Sequence, residues 1–315
     1  MSRAPTTATT ATPSSSAAVK TLKPLRGVRV LSLALNLPGP AALMRLKAMG
    51  ATCLKAEPPG PKGAPAGTSG DPMGQYNATA YATLHGGIKV ITLDLKTDKG
   101  QQKLHQELAR TDVLLTSFRP SALAKLGLGW KALHKAHPQL SVVAIVGAPG
   151  ARAEEPGHDL TYLADAGLVT GLDLPATLFA DMGGALMASE ATLRAVLAQK
   201  TSGKGSFQEV ALSDAAAWLA LPRTWGLTQP QGAVGGAHAG YRVYPCKDGR
   251  VAVAALEPHF AAALCAAAGV PVTGMATLFL SATHNAIAHF LSGQTRRQLD
   301  KLAQVKDIPL HTLAH

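Results

Sequence analysis

The stretch GVRVLSLALNLPGPAALMRLKAMGATCLKAE, residues 27–57, carries the pattern that predicts the fold. It opens with an apolar run, residues 28–33, that is typical of a strand buried on both faces. A Pro- and Gly-rich turn and a short helix follow, and the helix is predicted to end at Gly50. A second apolar run at 51–57 completes a strand–helix–strand unit, which predicts an open α/β sheet with parallel strands.

The same alternation continues through the first two thirds of the chain. Apolar runs predict further strands at 89–95, 113–115, 140–146 and 207–212. A periodic run at 182–200 predicts a helix, so the fold class is a doubly wound parallel sheet in a large domain. Such sheets bind ligands at the edge where their strands end. Neither G-x-G-x-x-G nor a P-loop pattern follows these strands, so the sequence does not support a nicotinamide or nucleotide-hydrolysing site.

Composition limits the classes of function. The chain has 315 residues, of which 47% are hydrophobic, enough for a globular core. No apolar run approaches 18 residues, so we expect no membrane span. The net charge of +11 favours an anionic ligand, whereas only 4% aromatic residues argue against a nucleic-acid surface. Cys53, Cys246 and Cys265 show neither metal-ligand nor disulfide spacing, which predicts a cytoplasmic protein without a metal.

Composition also divides the chain into segments. Residues 1–22 are rich in Ser, Thr, Ala and Pro and predict a disordered tail. Residues 23–229 would form the large domain, and residues 230–240 a Gly-rich linker. Residues 241–315 would form a smaller α+β domain that begins with a hairpin, because an Asp-Gly turn separates two apolar runs there.

A second stretch, PGHDLTYLADAGLVTGLDLPATLFADMGGA at 156–185, contains two candidate acid–base residues. Histidine is the side-chain type whose charge changes near neutral pH, so His158 is one candidate. Asp181 precedes the predicted helix and would lie at its N-terminus, where free N–H groups favour an anion. Each residue also has a purely structural interpretation, because an Asp before a helix is commonly a cap and a lone His is commonly structural. Two glycines after Asp181 can likewise serve close packing alone.

This stretch resembles the class III CoA-transferase (CaiB/BaiF) family, and within it the α-methylacyl-CoA racemase branch. The racemases carry a GHD-type motif and a GD-F/M-GGG-type motif, matched here by GHD at 157–159 and ADMGG at 180–184. The resemblance extends from about residue 25 to the C-terminus. It includes DVLLTSFRP, LGLG, KTSGKGSFQEVALSDA and an E-P-x-F motif.

The resemblance implies a role for each matching residue. His158 and Asp181 would exchange the proton at the α-carbon of an acyl-CoA thioester, and Glu257 would orient His158. Backbone N–H groups at Gly183 and Gly184 would hold the enolate oxygen. Arg119 would contact coenzyme A (CoA), together with further predicted CoA-binding residues: Lys89, Lys55 and Asp159. CoA would enter only as part of the substrate, without a covalently bound cofactor.

The resemblance also implies an interlocked homodimer, in which Glu257 of one chain approaches His158 of the other. Three functions stay open. The first is racemisation of 2-methylacyl-CoA thioesters. The second is CoA transfer, with Asp181 as the nucleophile. The third is a catalytically weak CoA-binding or interaction protein, which three departures from the family pattern favour. Pro58 replaces a family Arg, and Gly86-Gly87 replaces part of a basic run. The chain also stops at His315, before the family's usual return to the large domain.

Overall fold

The computed structural model describes residues 22–65 and 68–314. The tail predicted at 1–22 therefore lies outside the described residues, except for Leu22. The strands are β1 (Arg29–Ser32), β2 (Thr52–Glu57), β3 (Lys89–Thr92), β4 (Val113–Thr116), β5 (Ser141–Val146), β6 (Phe207–Ala211), β7 (Tyr241–Cys246), β8 (Gly249–Ala254) and β9 (Leu310–Leu313).

The helices follow the strands in the alternation that the sequence predicts. They are α1 (Pro38–Ala48), α2 (Pro72–Tyr76), α3 (Ala78–Leu84), α4 (Asp98–Leu108), α5 (Pro120–Lys125), α6 (Trp130–Ala136), α7 (Asp159–Asp165), α8 (Phe179–Ser202), α9 (Leu212–Leu219), α10 (Leu221–Thr224), α11 (Pro258–Ala267), α12 (Ser281–Ser292) and α13 (Arg296–Lys306). Among the described helices, none is both long and apolar enough to cross a membrane.

The chain divides into two compact units, Met1–Tyr162 with Pro175–Ala215, and Leu163–Leu174 with Ala216–His315. The division follows Ala215, so it precedes the predicted linker at 230–240. The first unit contains a six-stranded parallel sheet in the order β3-β2-β1-β4-β5-β6. This order confirms the predicted doubly wound sheet.

Alternate side chains of β4 show why helices cover both faces of this sheet. Val113 and Leu115 pack into a cluster that includes residues of α1 and α8. Leu114, between them, packs on the opposite side with residues of α4 and α6. All three are fully buried. A parallel strand covered on both faces must be apolar throughout, which is the pattern that the sequence shows.

The β1–α1 connection is shorter than predicted. The helix begins at Pro38 rather than after Pro40, because a proline in the first turn loses no intrahelical hydrogen bond. Gly39 allows this early start, since a Cβ there would lie 2.1 Å from the Cβ of Ala34. The residues that connect β1 to α1 therefore form a tight turn at the end of the strand, and that end faces the ligand edge.

The second unit contains the antiparallel sheet β7-β8-β9. The predicted hairpin is present, with Asp248-Gly249 at its turn. Strand β9 pairs with β8, which the sequence did not predict. Residues of α11, α12 and α13 pack with this sheet in a separate apolar cluster. The mixture of helices and antiparallel strands agrees with the predicted α+β domain.

Candidate functional site

A cleft of about 170 Å³ lies where strands β1, β4 and β5 end. Strands β1 and β4 are neighbours, yet α1 and α5 leave them towards opposite faces of the sheet. This is the switch point where doubly wound sheets open a crevice. His158 and Asp181 both line the cleft, and Arg119 lines it as well. The fold therefore brings together three residues that are distant in sequence.

Asp181 is the third residue of α8, so it lies in the first turn as predicted. Its backbone N–H donates to Oδ1 of Asp159 at 3.0 Å. Burial and the negative charge of Asp159 raise the pKa of Asp181 to about 6, and the charge of His158 opposes this shift. A carboxyl group with such a pKa both takes and gives protons near neutral pH.

His158 immediately precedes α7 and has an exposed side chain. Its backbone is held locally, because its N–H donates to Oγ1 of Thr161 at 3.1 Å and its carbonyl accepts that hydroxyl at 2.7 Å. This reciprocal contact orients the residue at the rim of the cleft. The imidazole is left free to meet a ligand.

Asp159 does not occupy the CoA-binding position predicted for it. The residue is 5% exposed and its carboxylate accepts the N–H of Asp181. A buried carboxylate committed to a helix N-terminus is not placed to meet a charged cofactor. Asp159 instead fixes the first turn of α8 and adds negative charge beside Asp181.

Arg119 follows β4 and precedes α5, with an exposed side chain. No ion pair involves it among the described residues. Burial and the charge of Asp181 raise the pKa of Tyr162, while the charge of Arg119 opposes this shift. Arg119, Tyr162 and Asp181 are thus close enough to influence one another, and Arg119 offers a cation to a ligand in the cleft.

Two lysines that were predicted to bind CoA have positions that do not favour this role. Lys55 is fully buried, with its ammonium group 2.9 Å from Oε1 of Glu57 and paired with Asp71. It has no access to a phosphate. Lys89 is exposed but begins β3, so it lies roughly 10 Å from the end of the strand that faces the ligand edge.

The positions of the two glycines predicted to bind the enolate do not favour that role either. Gly183 and Gly184 are the fifth and sixth residues of α8, beyond the first turn where N–H groups are free. The N–H of Met182 already bonds the carbonyl of Leu178 at 3.0 Å. A Cβ on Gly184 would lie 2.3 Å from Cδ2 of Leu212, so this glycine serves close packing.

Glu257 lies in the second unit, at the residue before α11. Its side chain is exposed, and within the described structure it makes no capping hydrogen bond to the helix. The carboxylate is therefore free to act elsewhere. Its predicted role beside His158 stays a prediction.

Tyr162 is a cleft residue that the sequence reasoning missed. A Cβ on Gly147 or Gly157 would lie 2.3 or 2.5 Å from the Tyr162 hydroxyl, so both glycines make room for this ring. Within the described part of the chain the hydroxyl has no hydrogen-bond partner. The Gly in the GHD motif was the available signal, but its partner became evident only in three dimensions.

An apolar hollow of about 140 Å³ lies beside the cleft, along the ends of β1 to β4. Phe118 lines both spaces, and Lys96 stands at the hollow with Leu93 and Leu126. Lys96 was not predicted. It follows β3, so it has the position at the ligand edge that Lys89 lacks.

One group of side chains has the composition of a metal site. Ligand atoms of Glu57, Asp71 and His85 lie within 4.8 Å of one another, and all three residues are buried. The ammonium group of Lys55 contacts all three, so a cation already occupies the centre. These residues therefore do not fit a metal ion while Lys55 is present.

Comparisons with known proteins agree with this geometry. The family model described as CoA-transferase family III matches residues 25–315. A probable fatty acyl-CoA transferase of Mycobacterium tuberculosis is 34% identical over 207 residues, or 62% of this chain and 52% of that protein. The α-methylacyl-CoA racemase of Mus musculus is 31% identical over 264 residues, or 78% of this chain and 65% of that protein.

A crystal structure of a hypothetical protein from Mycobacterium tuberculosis matches with a TM-score of 0.78 and 25% identity, covering 94% of this chain and 86% of that one. Sheet order and matches together define an α/β protein with a doubly wound parallel sheet. The chain belongs to CoA-transferase family III, as the sequence motifs indicated. It spans between 52% and 65% of the length of the two curated relatives.

Proposed function

We propose that this protein racemises 2-methylacyl-CoA thioesters by moving the α-proton between His158 and Asp181. The observation that carries the proposal is the cleft itself, where an exposed imidazole and a carboxyl group with a pKa of about 6 face one space. The α-proton of a thioester is weakly acidic, so its removal needs a base and a stabilised enolate. Inversion also needs a second proton donor on the opposite face.

The step conserves atoms and charge. One residue takes the α-proton, and the electron pair of the C–H bond moves into the enolate, whose oxygen becomes negative. The other residue then gives its proton to the opposite face of the α-carbon, and the thioester carbonyl re-forms. A substrate of the other configuration reverses the roles of His158 and Asp181.

CoA would lie along the ligand edge of the sheet. The apolar hollow around Phe118 suits the flat face of the adenine of CoA. Lys96 and Arg119 offer cations to the phosphates of CoA. The thioester would then reach the cleft that Phe118 also lines. This arrangement replaces Lys55, Lys89 and Asp159 as proposed CoA-binding residues.

The experiment that tests this function is deuterium incorporation. A chiral 2-methylacyl-CoA is incubated with the protein in deuterated water, and deuterium at the α-carbon is followed by mass spectrometry. His158→Ala and Asp181→Ala should each abolish racemisation while the far-UV circular dichroism stays unchanged. Wild-type rates in both variants would exclude the two-base mechanism.

The second candidate is CoA transfer, which the transferase relative motivates. Asp181 would then attack the thioester and form an acyl anhydride, with release of the CoA thiolate. The thiolate would attack the aspartyl carbonyl, giving an aspartyl-CoA thioester and releasing the acyl group as a carboxylate. An acceptor carboxylate would take CoA by the reverse of these steps and regenerate Asp181. The presence of His158 in the same cleft favours racemisation instead. Trapping with hydroxylamine or borohydride followed by mass spectrometry should leave Asp181 unmodified. A stoichiometric adduct would assign transfer.

The third candidate, a weak CoA-binding or interaction protein, predicts CoA binding without deuterium incorporation. Isothermal titration with CoA separates it from both enzymes.

The family resemblance also motivates an interlocked homodimer in which Glu257 of one chain orients His158 of its partner. Refolding His158→Ala chains with Glu257→Ala chains should restore part of the activity, since a mixed dimer keeps one intact site. Verified mixed dimers without activity would contradict the arrangement.

A further inference from the structure

A buried charged cluster lies outside the residues used in the proposed reaction. Nζ of the fully buried Lys55 lies 2.9 Å from Oε1 of Glu57 and 2.9 Å from Nε2 of His85, and it pairs with the carboxylate of Asp71. Nδ1 of His85 donates to the carbonyl of Tyr81 at 2.7 Å, so Nε2 accepts from Lys55. All three ammonium protons therefore have partners.

Two hydroxyl groups donate hydrogen bonds to the other carboxylate of the cluster, that of Glu57. Ser69 donates to Oε2 of Glu57 at 2.6 Å, and Tyr81 donates to Oε1 at 2.7 Å. Burial opposes ionisation of Glu57, but the hydrogen bonds from Ser69, Lys55 and Tyr81 lower its pKa. The cluster is thus fully connected, which makes a buried charge tolerable but seldom a net source of stability.

Asp71 is the member of the cluster that contacts a residue of the cleft wall. One carboxylate oxygen pairs with Lys55, while the other accepts the N–H of Asn36 at 3.0 Å and that of Met73 at 3.0 Å. Asn36 lines the cleft that contains Asp181. Two hydrogen bonds therefore connect the buried ammonium to a residue of the cleft wall.

Asn36 needs such support because of its backbone conformation. Its φ is +62°, a region that residues other than glycine rarely adopt and that costs roughly 1 kcal/mol. The preceding N–H, that of Leu35, donates to Oγ of Ser117 at 3.1 Å. The turn formed by residues 33–37 is therefore fixed from both sides, by Ser117 after β4 and by Asp71.

We propose that Asp71, held by the buried Lys55, is a positioning residue that fixes the turn at 33–37 and so sets where the thioester lies relative to Asp181. This inference rests on the proposed function. Asp71 contacts no substrate. It acts through the N–H of Asn36, and the geometry of a reacting pair is sensitive to displacements of about 1 Å.

Two double variants separate the hydrogen bond from the charge. Lys55→Met with Asp71→Asn removes both charges but keeps an amide oxygen that can accept the N–H of Asn36. Lys55→Met with Asp71→Ala removes the acceptor as well. We expect kcat for deuterium incorporation to stay within about threefold of wild type in the first variant and to fall at least about tenfold in the second. The Kd for CoA should change little in both, since Arg119 and Phe118 are untouched.

Tyr81→Phe is the matched control. It removes the hydrogen bond to Oε1 of Glu57 within the same cluster but leaves the contacts of Asp71 with Lys55 and Asn36 in place and does not touch the cleft. It should lower the urea midpoint and leave kcat unchanged. Equal kcat in the two double variants, both folded, would overturn the proposal.

A third variant covers the case in which the double variants do not fold. Asn36→Pro leaves the cluster intact but has no N–H for Asp71 and cannot adopt a φ of +62°. It should lower kcat at least as much as the loss of the acceptor. Wild-type kcat in a folded Asn36→Pro protein would likewise overturn the proposal.

Failure of the proposed function can be told apart from failure of this inference. If the wild-type protein exchanges no α-proton, amide hydrogen exchange of residues 35–37 still reports on the turn. Exchange should be faster in Lys55→Met with Asp71→Ala than in Lys55→Met with Asp71→Asn. Equal exchange would show that Asp71 does not fix the turn, whatever reaction the protein catalyses.

Discussion

Replacing Asp181 by Asn should stabilise the protein while abolishing its activity. Burial and the neighbouring Asp159 hold the pKa of Asp181 at about 6, against 3.8 for an ordinary Asp. A carboxyl whose pKa is raised by folding contributes stability below the unfolded value, and that contribution is lost as the pH rises through the folded value. The charged form therefore weakens the native state at neutral pH.

The size of this effect follows from the pKa shift. The shift from 3.8 to about 6 corresponds to about 3 kcal/mol, since each unit is worth ~1.4 kcal/mol. Partial contact of the side chain with water reduces this, so we expect Asp181→Asn to raise the free energy of unfolding by about 1–3 kcal/mol at pH 8. The gain should shrink as the pH falls from 6 to 4, because the wild-type carboxyl becomes neutral as well.

Urea unfolding at pH 5 and pH 8 measures the gain directly. Asp98→Asn is the matched control, because Asp98 also lies in the first turn of a helix, α4, but is exposed. It should show no comparable pH-dependent gain. An Asp181→Asn protein that is no more stable than wild type at pH 8 would refute the reasoning about burial.

Three further predictions concern acid–base chemistry and packing. Asp159→Asn should move the acid limb of the deuterium-incorporation profile below pH 6, because it removes a charge that raises the pKa of Asp181; an unmoved limb would contradict this coupling. Gly39→Ala should lower the free energy of unfolding, measured by urea denaturation, by about 1–3 kcal/mol, since its Cβ would meet that of Ala34 at 2.1 Å. Burial lowers the pKa of His238 from 6.5. The stability that the neutral imidazole contributes is therefore lost as the pH falls below 6.5. The His238→Asn protein should lose less stability in acid than the wild-type protein.

The sequence predicted the fold well because its strands are buried on both faces. Continuous apolar runs alternating with helical segments leave few arrangements for a parallel sheet, and the observed order is the common one. His158 and Asp181 were predicted because their motifs are local. Their meeting in one cleft follows from the sheet, since α7 and α8 both begin near its ligand edge.

The remaining site residues depend on contacts that no local pattern encodes. Lys55 was predicted to bind phosphate because two of its buried partners, Asp71 and His85, lie in other segments of the chain and could not be recognised from its strand. The contact between Asn36 and Asp71 gave no signal in the sequence, because the two residues lie 35 positions apart. The prediction for Lys89 came from the family resemblance, and it did not take into account that this residue begins its strand whereas ligands bind where the strands end.

Two buried carboxylates near the cleft have opposite electrostatic surroundings, and this difference separates their roles. Asp71 has an ammonium group against one oxygen and two N–H donors on the other. Burial and the charge of Asp159 raise the pKa of Asp181 to about 6, and the charge of His158 opposes this shift. A carboxylate with both oxygens engaged suits the support of a backbone turn, whereas a carboxyl that gains and loses a proton near pH 6 suits proton transfer. The buried Lys55 therefore serves to hold Asp71 in position. In the described structure no comparable ammonium group lies beside Asp181, so Asp181 is able to exchange a proton.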